Sequence, residues 1–261
     1  SSHRKKSVNI SAFFTFLDKK QEIEHYQPER DDERIRSCSG VIIVDVSEKK
    51  RLGDIADAIP DSMPLAVIDH HLVTAPVSEH MIIDETASST GELIYDVLNQ
   101  FDVQWTREII DALYACILTD TGSFRFSNTT AKTHRITAAL LDHGARFQHV
   151  YSSIYESHSK HRAWLMGELL ANMKFEADDK LAWFVLSQDV LSKTNAKLWE
   201  AEGLSDLPRS IKSVQISVMF TETKDGNAKA SFRSKGLIPV NDLAGQFGGG
   251  GHKFAAGAHL E

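Results

Sequence analysis

The sequence predicts an α/β protein with a parallel-sheet N-terminal domain followed by a smaller α+β C-terminal domain. Two short β-branched runs, at residues 41–44 and 65–68, are typical of strands buried on both faces of a parallel sheet. Helical apolar patterns follow these runs, and this alternation is typical of α/β domains. After residue 160 strand-like runs follow one another, and an Asp-Gly turn signal joins two of them as a hairpin.

Helices are expected between and after the two N-terminal strands. The stretch between the strands is polar and rich in alanine, and serine and threonine residues just before residue 91 are suited to cap the next helix. Gly144 ends the last helical pattern, because glycine readily adopts the left-handed conformation found at helix C-termini. The predicted helices cover residues 49–59, 91–101, 107–118 and 131–143.

The elements of the second half predict an α+β domain. A connecting helix is expected at its start, and strand-like runs and polar segments then follow. A short helix precedes four consecutive glycines near the end of the sequence. The predicted helices cover 164–173 and 241–247, and the predicted strands cover 181–186, 214–220 and 228–233. We therefore divide the sequence into domains at 1–158 and 159–261.

The composition is that of an ordinary folded protein and excludes several classes. Of the 261 residues, 42% are hydrophobic and 25% charged, which argues against a disordered or fibrous chain. The net charge of −7 argues against a coat for duplex DNA, which needs a basic surface. No apolar run approaches the ~18–20 residues of a membrane helix. Since the basic N-terminal residues show no secretory signal, we expect a cytoplasmic protein without a membrane partner.

Three aspartates follow apolar segments, namely Asp45, Asp69 and Asp120. In an open parallel sheet, ligands bind beyond the carboxyl ends of the strands. The three carboxylates are therefore expected to converge on one crevice. Taken singly, each aspartate is better explained as a helix cap or a turn residue. The two histidines that follow Asp69 favour convergence on one crevice over separate cap or turn roles.

Two histidines directly follow Asp69. His70 and His71 stand at the end of a predicted strand, and their side chains point in different directions, so they need not share one role. A histidine beside carboxylates suits Mn²⁺ or a similar divalent ion. Two such ions ~3.5–4 Å apart can activate a water and clamp a phosphoryl group. The alternative explanation is a helix cap followed by a surface histidine.

A run of four glycines precedes His252. A backbone without side chains approaches a ligand closely and exposes its N–H groups to an anion. His252 and Arg233 would add charge-assisted contacts to a phosphate. A flexible loop is the alternative explanation of the run, which consists of Gly248, Gly249, Gly250 and Gly251.

Taken together, these strings resemble the DHH phosphoesterase superfamily, in the subfamily with a DHHA-type C-terminal domain. The branch most similar is that of the bacterial nano-RNA (oligoribonuclease) and pAp phosphatase proteins, where pAp is adenosine 3′,5′-bisphosphate. The matching segments run in family order and combine the Asp-His-His, Asp-Thr-Gly and Gly-Gly-Gly-Gly-His motifs. They lie at 41–45 with 51–53, 67–71, 88–92, 118–130, 231–234 and 247–257.

The resemblance implies roles for the matching positions of the first domain. Asp45 would bridge two Mn²⁺ ions, with Mg²⁺ or Co²⁺ as alternatives. His70 and Asp120 would complete the second metal site. Asp69 would orient its neighbours, and His71 would contact the scissile phosphate.

The resemblance also implies that the second domain carries the substrate-binding groups. Arg233, His252 and the four glycines would bind the terminal phosphate or the nucleotide of the substrate. The active site would then lie in the cleft between the two domains. A homodimer is a further property that the resemblance implies.

The implied function is a Mn²⁺-dependent phosphoesterase that uses water activated by two ions. It would hydrolyse short single-stranded RNA to mononucleotides, pAp to AMP, or both. A cyclic or linear dinucleotide phosphodiesterase is the nearest alternative. The first family motif, His-x-x-Pro-Asp-x-Asp, has no counterpart before Asp45 in this sequence. A nucleotide-binding protein without catalysis is therefore a second alternative.

Overall fold

The computed structural model describes residues 14–20, 22–73, 76–223 and 225–260. The chain divides into two compact units, Ser1–Ser157 and His158–Glu261. Each unit has its own sheet and its own apolar packing. Within the described residues, no helix combines the length and the apolar character that crossing a membrane requires.

A three-stranded parallel sheet organises the first unit. Strands β1 (Val41–Val44), β2 (Leu65–Asp69) and β3 (His80–Ile83) pair with β2 in the centre. The predicted fold class and the first two strands are confirmed. Strand β3 lies outside the prediction, because a run of four residues that starts with histidine carries too little periodicity. The parallel register brings the carboxyl ends of all three strands to one edge of the sheet.

One face of this sheet is exposed, so the expectation of strands buried on both faces is wrong for β1. Ile42 and Val44 of β1 are 71% and 49% exposed, and Ile82 of β3 is 48% exposed. The opposite face is packed, since Ile43 and Val67 are buried. Strand β1 is therefore apolar on both sides although one side is packed and the other faces solvent.

The helices of the first unit pack around α4. A buried cluster joins α4, α5 and α6 through Leu113, Ile117, Leu140 and Val150. Burial of these side chains is the main favourable term in holding the helices together. The helices are α1 (Pro28–Arg36), α2 (Ile55–Ala58), α3 (Thr90–Leu98), α4 (Arg107–Asp120), α5 (Ala131–Asp142) and α6 (Phe147–Tyr155).

Three of the four predicted helices of this unit correspond to α3, α4 and α5, although α3 ends at Leu98 and not at residue 101. Helix α5 ends before Gly144, which has a left-handed φ of +91°. Helix α4 continues past the predicted end and terminates at Asp120. The predicted helix at 49–59 is interrupted, because Gly53 has a φ of +64° between a 3₁₀ turn and α2.

A six-stranded mixed sheet forms the second unit. Its spatial order is β4-β5-β6-β7-β9-β8, with β5 and β6 parallel and all other neighbours antiparallel. The strands are β4 (Lys174–Glu176), β5 (Leu181–Leu186), β6 (Ile216–Glu222), β7 (Ala228–Ser234), β8 (Gly250–His252) and β9 (Ala255–Leu260).

The sheet of the second unit is packed on both faces. Successive residues of β6 show this, because Met219 and Val218 belong to two different apolar clusters. On one face, Leu165 of α7 (Lys160–Ala171) packs in the cluster of Met219. On the other face, Ala244 packs in the cluster of Val218. The remaining helices of this unit are α8 (Gln188–Thr194) and α9 (Asn241–Gln246).

Candidate functional site

The carboxyl edge of the parallel sheet brings Asp45 and Asp69 to neighbouring strand ends. Asp45 directly follows β1, and its backbone N–H donates to the carbonyl oxygen of Ile68 at 2.9 Å. Its φ of +62° is left-handed, a conformation that aspartate tolerates better than most residues. The Asp45 side chain is 56% exposed, whereas that of Asp69 is fully buried. The two carboxylates therefore occupy different environments at one edge.

His70 links this strand edge to the end of helix α4. Its Nε2 atom lies 3.8 Å from Oδ1 of Asp45 and 3.8 Å from Oδ2 of Asp120. Asp120 is the last residue of α4, so it reaches the site from the end of the helix that the sequence predicted at 107–118. Donor atoms of Asp45, His70 and Asp120 all lie within 4.8 Å of one another.

The imidazole of His70 is held in the tautomer that a metal ligand needs. Its Nδ1 atom lies 3.2 Å from the carbonyl oxygen of Ala87. A carbonyl only accepts hydrogen bonds, so Nδ1 carries the proton and Nε2 presents its lone pair toward the two carboxylates. One imidazole nitrogen and two carboxylate oxygens form a donor set suited to Mn²⁺ and similar divalent ions. These residues therefore fit a divalent metal ion.

The electrostatics of Asp120 also favour a cation. The pKa of Asp120 is raised to about 6, mainly by burial. The charge of Asp45 also raises this pKa, whereas His70 acts to lower it. Protein atoms surround the carboxyl group although 36% of the side chain is exposed. Two carboxylates this close repel each other when both are ionised, and a divalent ion between them would relieve that repulsion.

Asp69 organises the two histidines. Its Oδ1 atom accepts hydrogen bonds from the backbone N–H of His70 at 2.8 Å, from that of His71 at 3.1 Å and from Nδ1 of His71 at 2.7 Å. Burial acts to raise the pKa of Asp69, but the hydrogen bonds, first among them that of the His71 ring, hold it below its usual value. Asp69 is thus an ionised, buried acceptor that orients His71.

Two polar side chains that the sequence reasoning missed bond to Asp45 and Asp120, the first to a carboxylate and the second to a main-chain carbonyl group. Thr90, at the start of α3, donates from Oγ1 to Oδ1 of Asp45 at 2.7 Å. Asn128 donates from Nδ2 to the carbonyl oxygens of Ser88 at 2.8 Å and Asp120 at 3.0 Å. Both residues lie inside the motif segments quoted above, but their partners are distant in sequence, so no local pattern identifies the contacts.

The loop after Asp120 contains three consecutive left-handed residues. Gly122, Ser123 and Phe124 have φ values of +54°, +60° and +64°. A Cβ atom on Gly122 would collide with the ring of Phe126. A side chain is therefore excluded at position 122 by both backbone conformation and space. The loop thereby turns back toward Asp120 at the end of α4.

Two predicted substrate-binding residues of the second unit, Arg233 and His252, lie on β7 and β8, which flank β9 in the sheet. Arg233 of β7 pairs with Ala255 of β9, which pairs with His252 of β8. Residues paired across a sheet share a face, so Arg233 and His252 lie on one face, two strand spacings or about 10 Å apart. The Arg233 guanidinium lies 3.4 Å from Oδ2 of Asp206 and also donates to the carbonyl oxygen of Phe232 at 2.9 Å.

The four glycines have different surroundings, and two of them are required by strand packing. A Cβ atom on Gly249 would collide with the carbonyl oxygen of Gly257. A Cβ atom on Gly251 would lie 2.6 Å from the carbonyl oxygen of Ala255. Gly250, in contrast, has open space around its Cα atom. The run therefore leads from the end of α9 into the edge strand β8, and its second half is paired with β9 and is not a free loop.

Comparison with known proteins identifies the family. The family model described as "DHH family, N-terminal domain" matches residues 7–117, and that described as "DHHA1 domain" matches residues 178–261. The chain is 31% identical over 219 residues to a probable bifunctional oligoribonuclease and PAP phosphatase NrnA of Streptococcus mutans, and the match covers 69% of that protein. The chain belongs to the DHH family. The resemblance predicted from the motifs is thereby confirmed.

Other relatives of this DHH protein carry the same name. Proteins named bifunctional oligoribonuclease and PAP phosphatase NrnA match from Bacillus subtilis, with 30% identity over 84% of this chain and 69% of the relative, and from Thermus thermophilus, with 28% identity over 95% and 72%. A crystal structure of an exopolyphosphatase-related protein from Bacteroides fragilis matches with a TM-score of 0.88 and 29% identity, over 94% of this chain and 74% of that chain. The DHH fold is therefore confirmed.

Proposed function

We propose that this DHH-family hydrolase is a Mn²⁺-dependent phosphoesterase that converts short single-stranded RNA to mononucleotides, pAp to AMP, or both. Relatives named as oligoribonucleases and PAP phosphatases support the substrate class. The observation that carries the proposal is the cluster of Asp45, His70 and Asp120, whose donor atoms lie within 4.8 Å of one another. Its one nitrogen and two carboxylate oxygens match the ligand preference of Mn²⁺, with Mg²⁺ and Co²⁺ as alternatives.

We assign Asp45 to both ions of a two-ion site, with His70 and Asp120 completing the site of the second ion. The group of Asp45, Asp69 and His71 is not taken as a further ligand set, because Nδ1 of His71 is bonded to Asp69 at 2.7 Å. Bound divalent ions would supply the positive charge that makes a water more acidic and polarises a phosphoryl oxygen. Asp45 and Asp120 would hold that charge in place, and His70 would contribute its lone pair from Nε2.

We assign His71 to the scissile phosphate. Its Nδ1 proton is held by the buried Asp69 carboxylate at 2.7 Å. Because Asp69 engages Nδ1, we assign the contact with a phosphate oxygen to Nε2, the other ring nitrogen. The Asp69 contact also fixes the ring plane, which orients that nitrogen before the substrate arrives.

In the second unit, Arg233 and His252 are proposed to bind the nucleotide end of the substrate. They flank a strip of small residues, since Ala255 lies between them in the sheet and Gly257 pairs with Gly250 beside it. A strip of small residues with hydrogen-bond donors at its margins leaves room for a phosphate or a base to bind. The pairing of Arg233 with Asp206 holds the guanidinium near its backbone and limits its rotamers.

The experiment is hydrolysis of an RNA dinucleotide, pAp and a cyclic dinucleotide by the full-length protein, with and without Mn²⁺. Release of mononucleotides from RNA, or of AMP and orthophosphate from pAp, only with Mn²⁺ is the expected result. Cleavage of the cyclic dinucleotide alone would favour the dinucleotide phosphodiesterase. Nucleotide binding without turnover under any of these conditions would contradict the proposal.

A further inference from the structure

We propose that Asn128 and Thr90 are positioning residues that set the separation of the Asp120 and Asp45 carboxylates for metal binding. This inference rests on the proposed function, since it concerns the same metal site. Asn128 and Thr90 are neutral side chains, and their hydrogen bonds go to Asp120 and Asp45, two members of the donor cluster. Each acts through its hydrogen bond to that residue.

Asn128 bridges two main-chain carbonyl groups. Its Nδ2 atom donates to the Ser88 oxygen at 2.8 Å and to the Asp120 oxygen at 3.0 Å. Both partners only accept, so both amide hydrogens are used, and an aspartate at this position would provide neither. The Oδ1 atom of Asn128 is buried and has no hydrogen-bond partner among the described residues. The contribution of this side chain therefore comes from its amide nitrogen.

The bridge acts on a ligand at a helix end. Asp120 is the last residue of α4, where backbone carbonyl groups lack intrahelical donors. The Asn128 amide supplies one of the missing donors and so fixes the peptide group next to the Asp120 side chain. The left-handed residues Gly122 to Phe124 turn the loop so that Asn128 comes back to this position.

The segment from Ser88 to Glu92, which includes the first turn of α3, connects the two ligand residues. Its Ser88 is joined through Asn128 to the main chain of Asp120. Its Thr90 donates to the carboxylate of Asp45. The segment is itself anchored, because Glu92, which is buried, accepts from the Ser88 hydroxyl and from Oγ1 of Thr133 at 2.6 Å. One anchored segment thus holds a ligand from a strand end and a ligand from a helix end.

The test compares Mn²⁺ affinity in two variants that remove these donors without adding charge. Asn128→Leu removes both amide hydrogens, and Thr90→Val replaces the hydroxyl by a methyl group of the same shape. Thr90→Ser, which keeps the hydroxyl, is the conservative rescue. Asn99→Leu is the matched control, because Asn99 donates to the Tyr95 carbonyl oxygen at the other end of α3 on an exposed surface.

Mn²⁺ titration calorimetry on the full-length protein is the readout, with metal-free melting temperatures measured in parallel. We expect Asn128→Leu and Thr90→Val to weaken Mn²⁺ binding about 10–100-fold, as loss of an outer hydrogen bond does at other metal sites. Thr90→Ser should restore the affinity, and Asn99→Leu should retain it even where the melting temperature falls.

Native affinity in both Thr90→Val and Asn128→Leu, in a protein whose native form binds Mn²⁺ and hydrolyses substrate, would overturn this inference alone. A native protein that binds no Mn²⁺ and has no activity would overturn the proposed function and this inference with it. If Asn128→Leu does not fold, the comparison of Thr90→Val with Thr90→Ser decides, and equal affinity in that pair contradicts the role of the hydroxyl.

Discussion

Nε2 of His70 lies 3.8 Å from Oδ2 of Asp120, although the first residue follows a strand and the second ends a helix. The Nδ1 contact of His70 with the Ala87 carbonyl oxygen leaves the lone pair of Nε2 facing that carboxylate. Asp45 completes the arrangement at 3.8 Å from the same nitrogen. These three groups form a candidate divalent-metal site built from the ends of β1, β2 and α4.

Replacement of His71 separates substrate activation from metal binding. We expect His71→Ala to lower kcat about 10²–10⁴-fold, the range for loss of a positioned proton donor, while Mn²⁺ affinity stays near native. His71→Asn is the matched variant, because its amide can still donate to Asp69 but cannot supply the ring Nε2. Steady-state kinetics with Mn²⁺ titration checks this. A large loss of metal affinity in both variants would show that His71 is a metal ligand instead.

A methyl group at position 122 should destabilise the first unit more than one at position 144. Both glycines have left-handed φ values, but a Cβ atom on Gly122 would collide with Phe126, whereas Gly144 has open space. We expect Gly144→Ala to cost about 1–2 kcal/mol from backbone strain. Gly122→Ala should cost about 1–3 kcal/mol more from overpacking. Urea unfolding measures both.

The companion variant Phe126→Leu identifies the cause of the Gly122→Ala effect. Replacing the ring by the smaller leucine side chain should remove the collision. The double variant of Gly122→Ala and Phe126→Leu should then lose less stability than the sum of the two single variants. Strict additivity would show that the ring of Phe126 does not limit the space at Gly122.

The glycine run should show a sharp contrast between adjacent positions. Gly249→Ala should lower the stability of the second unit by more than about 2 kcal/mol, because the new Cβ atom meets the Gly257 backbone. Gly250→Ala should change it by less than about 1 kcal/mol, since that position is open. Denaturant unfolding of the full-length protein provides the comparison. Equal effects at both positions would contradict the observed packing of β8 on β9.

The elements with a clear apolar pattern are predictable from the sequence. Helix α5 emerges from its helical pattern and the glycine after its end, and strands β1 and β2 emerge as short continuous β-branched runs. The motif residues Asp45, His70 and Asp120 could also be selected in advance. The end of α4 was harder to place, because the polar residues before Asp120 look like a boundary although the helix continues through them.

Contacts between residues distant in sequence account for what the sequence did not reveal. Asn128 bonds to Ser88 across 40 positions, and Thr90 to Asp45 across 45. The collision that forbids a side chain at Gly249 involves Gly257 of the partner strand. Such requirements depend on how close two backbones approach, and spacing within one segment carries no information about that distance.

Glu200 should make the second unit sensitive to acid. This residue is 4% exposed and accepts hydrogen bonds from the Ser159 hydroxyl and from the Lys197 N–H at 2.7 Å. Burial acts to raise the pKa of Glu200, but these hydrogen bonds outweigh it and hold the pKa below its usual value. A depressed folded-state pKa stabilises the fold above the unfolded value of about 4.3, and the benefit disappears as pH falls through the folded-state pKa.

Comparison of native protein with Glu200→Gln tests this pH dependence. At neutral pH we expect the variant to be less stable by about 1–3 kcal/mol, because a neutral amide with one acceptor oxygen replaces the carboxylate that accepts both buried hydrogen bonds. The difference should shrink as the pH is lowered below about 4.3. Glu176→Gln, on the exposed strand β4, is the control and should show no such trend. A difference that does not change with pH would contradict the assigned ionisation of Glu200.

The most direct test of the metal centre is calorimetric titration of Mn²⁺ into the native protein, His70→Ala and His80→Ala. His80 is an exposed histidine of β3 and serves as the matched control. We predict that the native protein and His80→Ala bind Mn²⁺ with equal affinity, and that His70→Ala binds at least about 10-fold more weakly. Unchanged Mn²⁺ affinity in His70→Ala would contradict the assignment of Asp45, His70 and Asp120 as the metal-binding cluster.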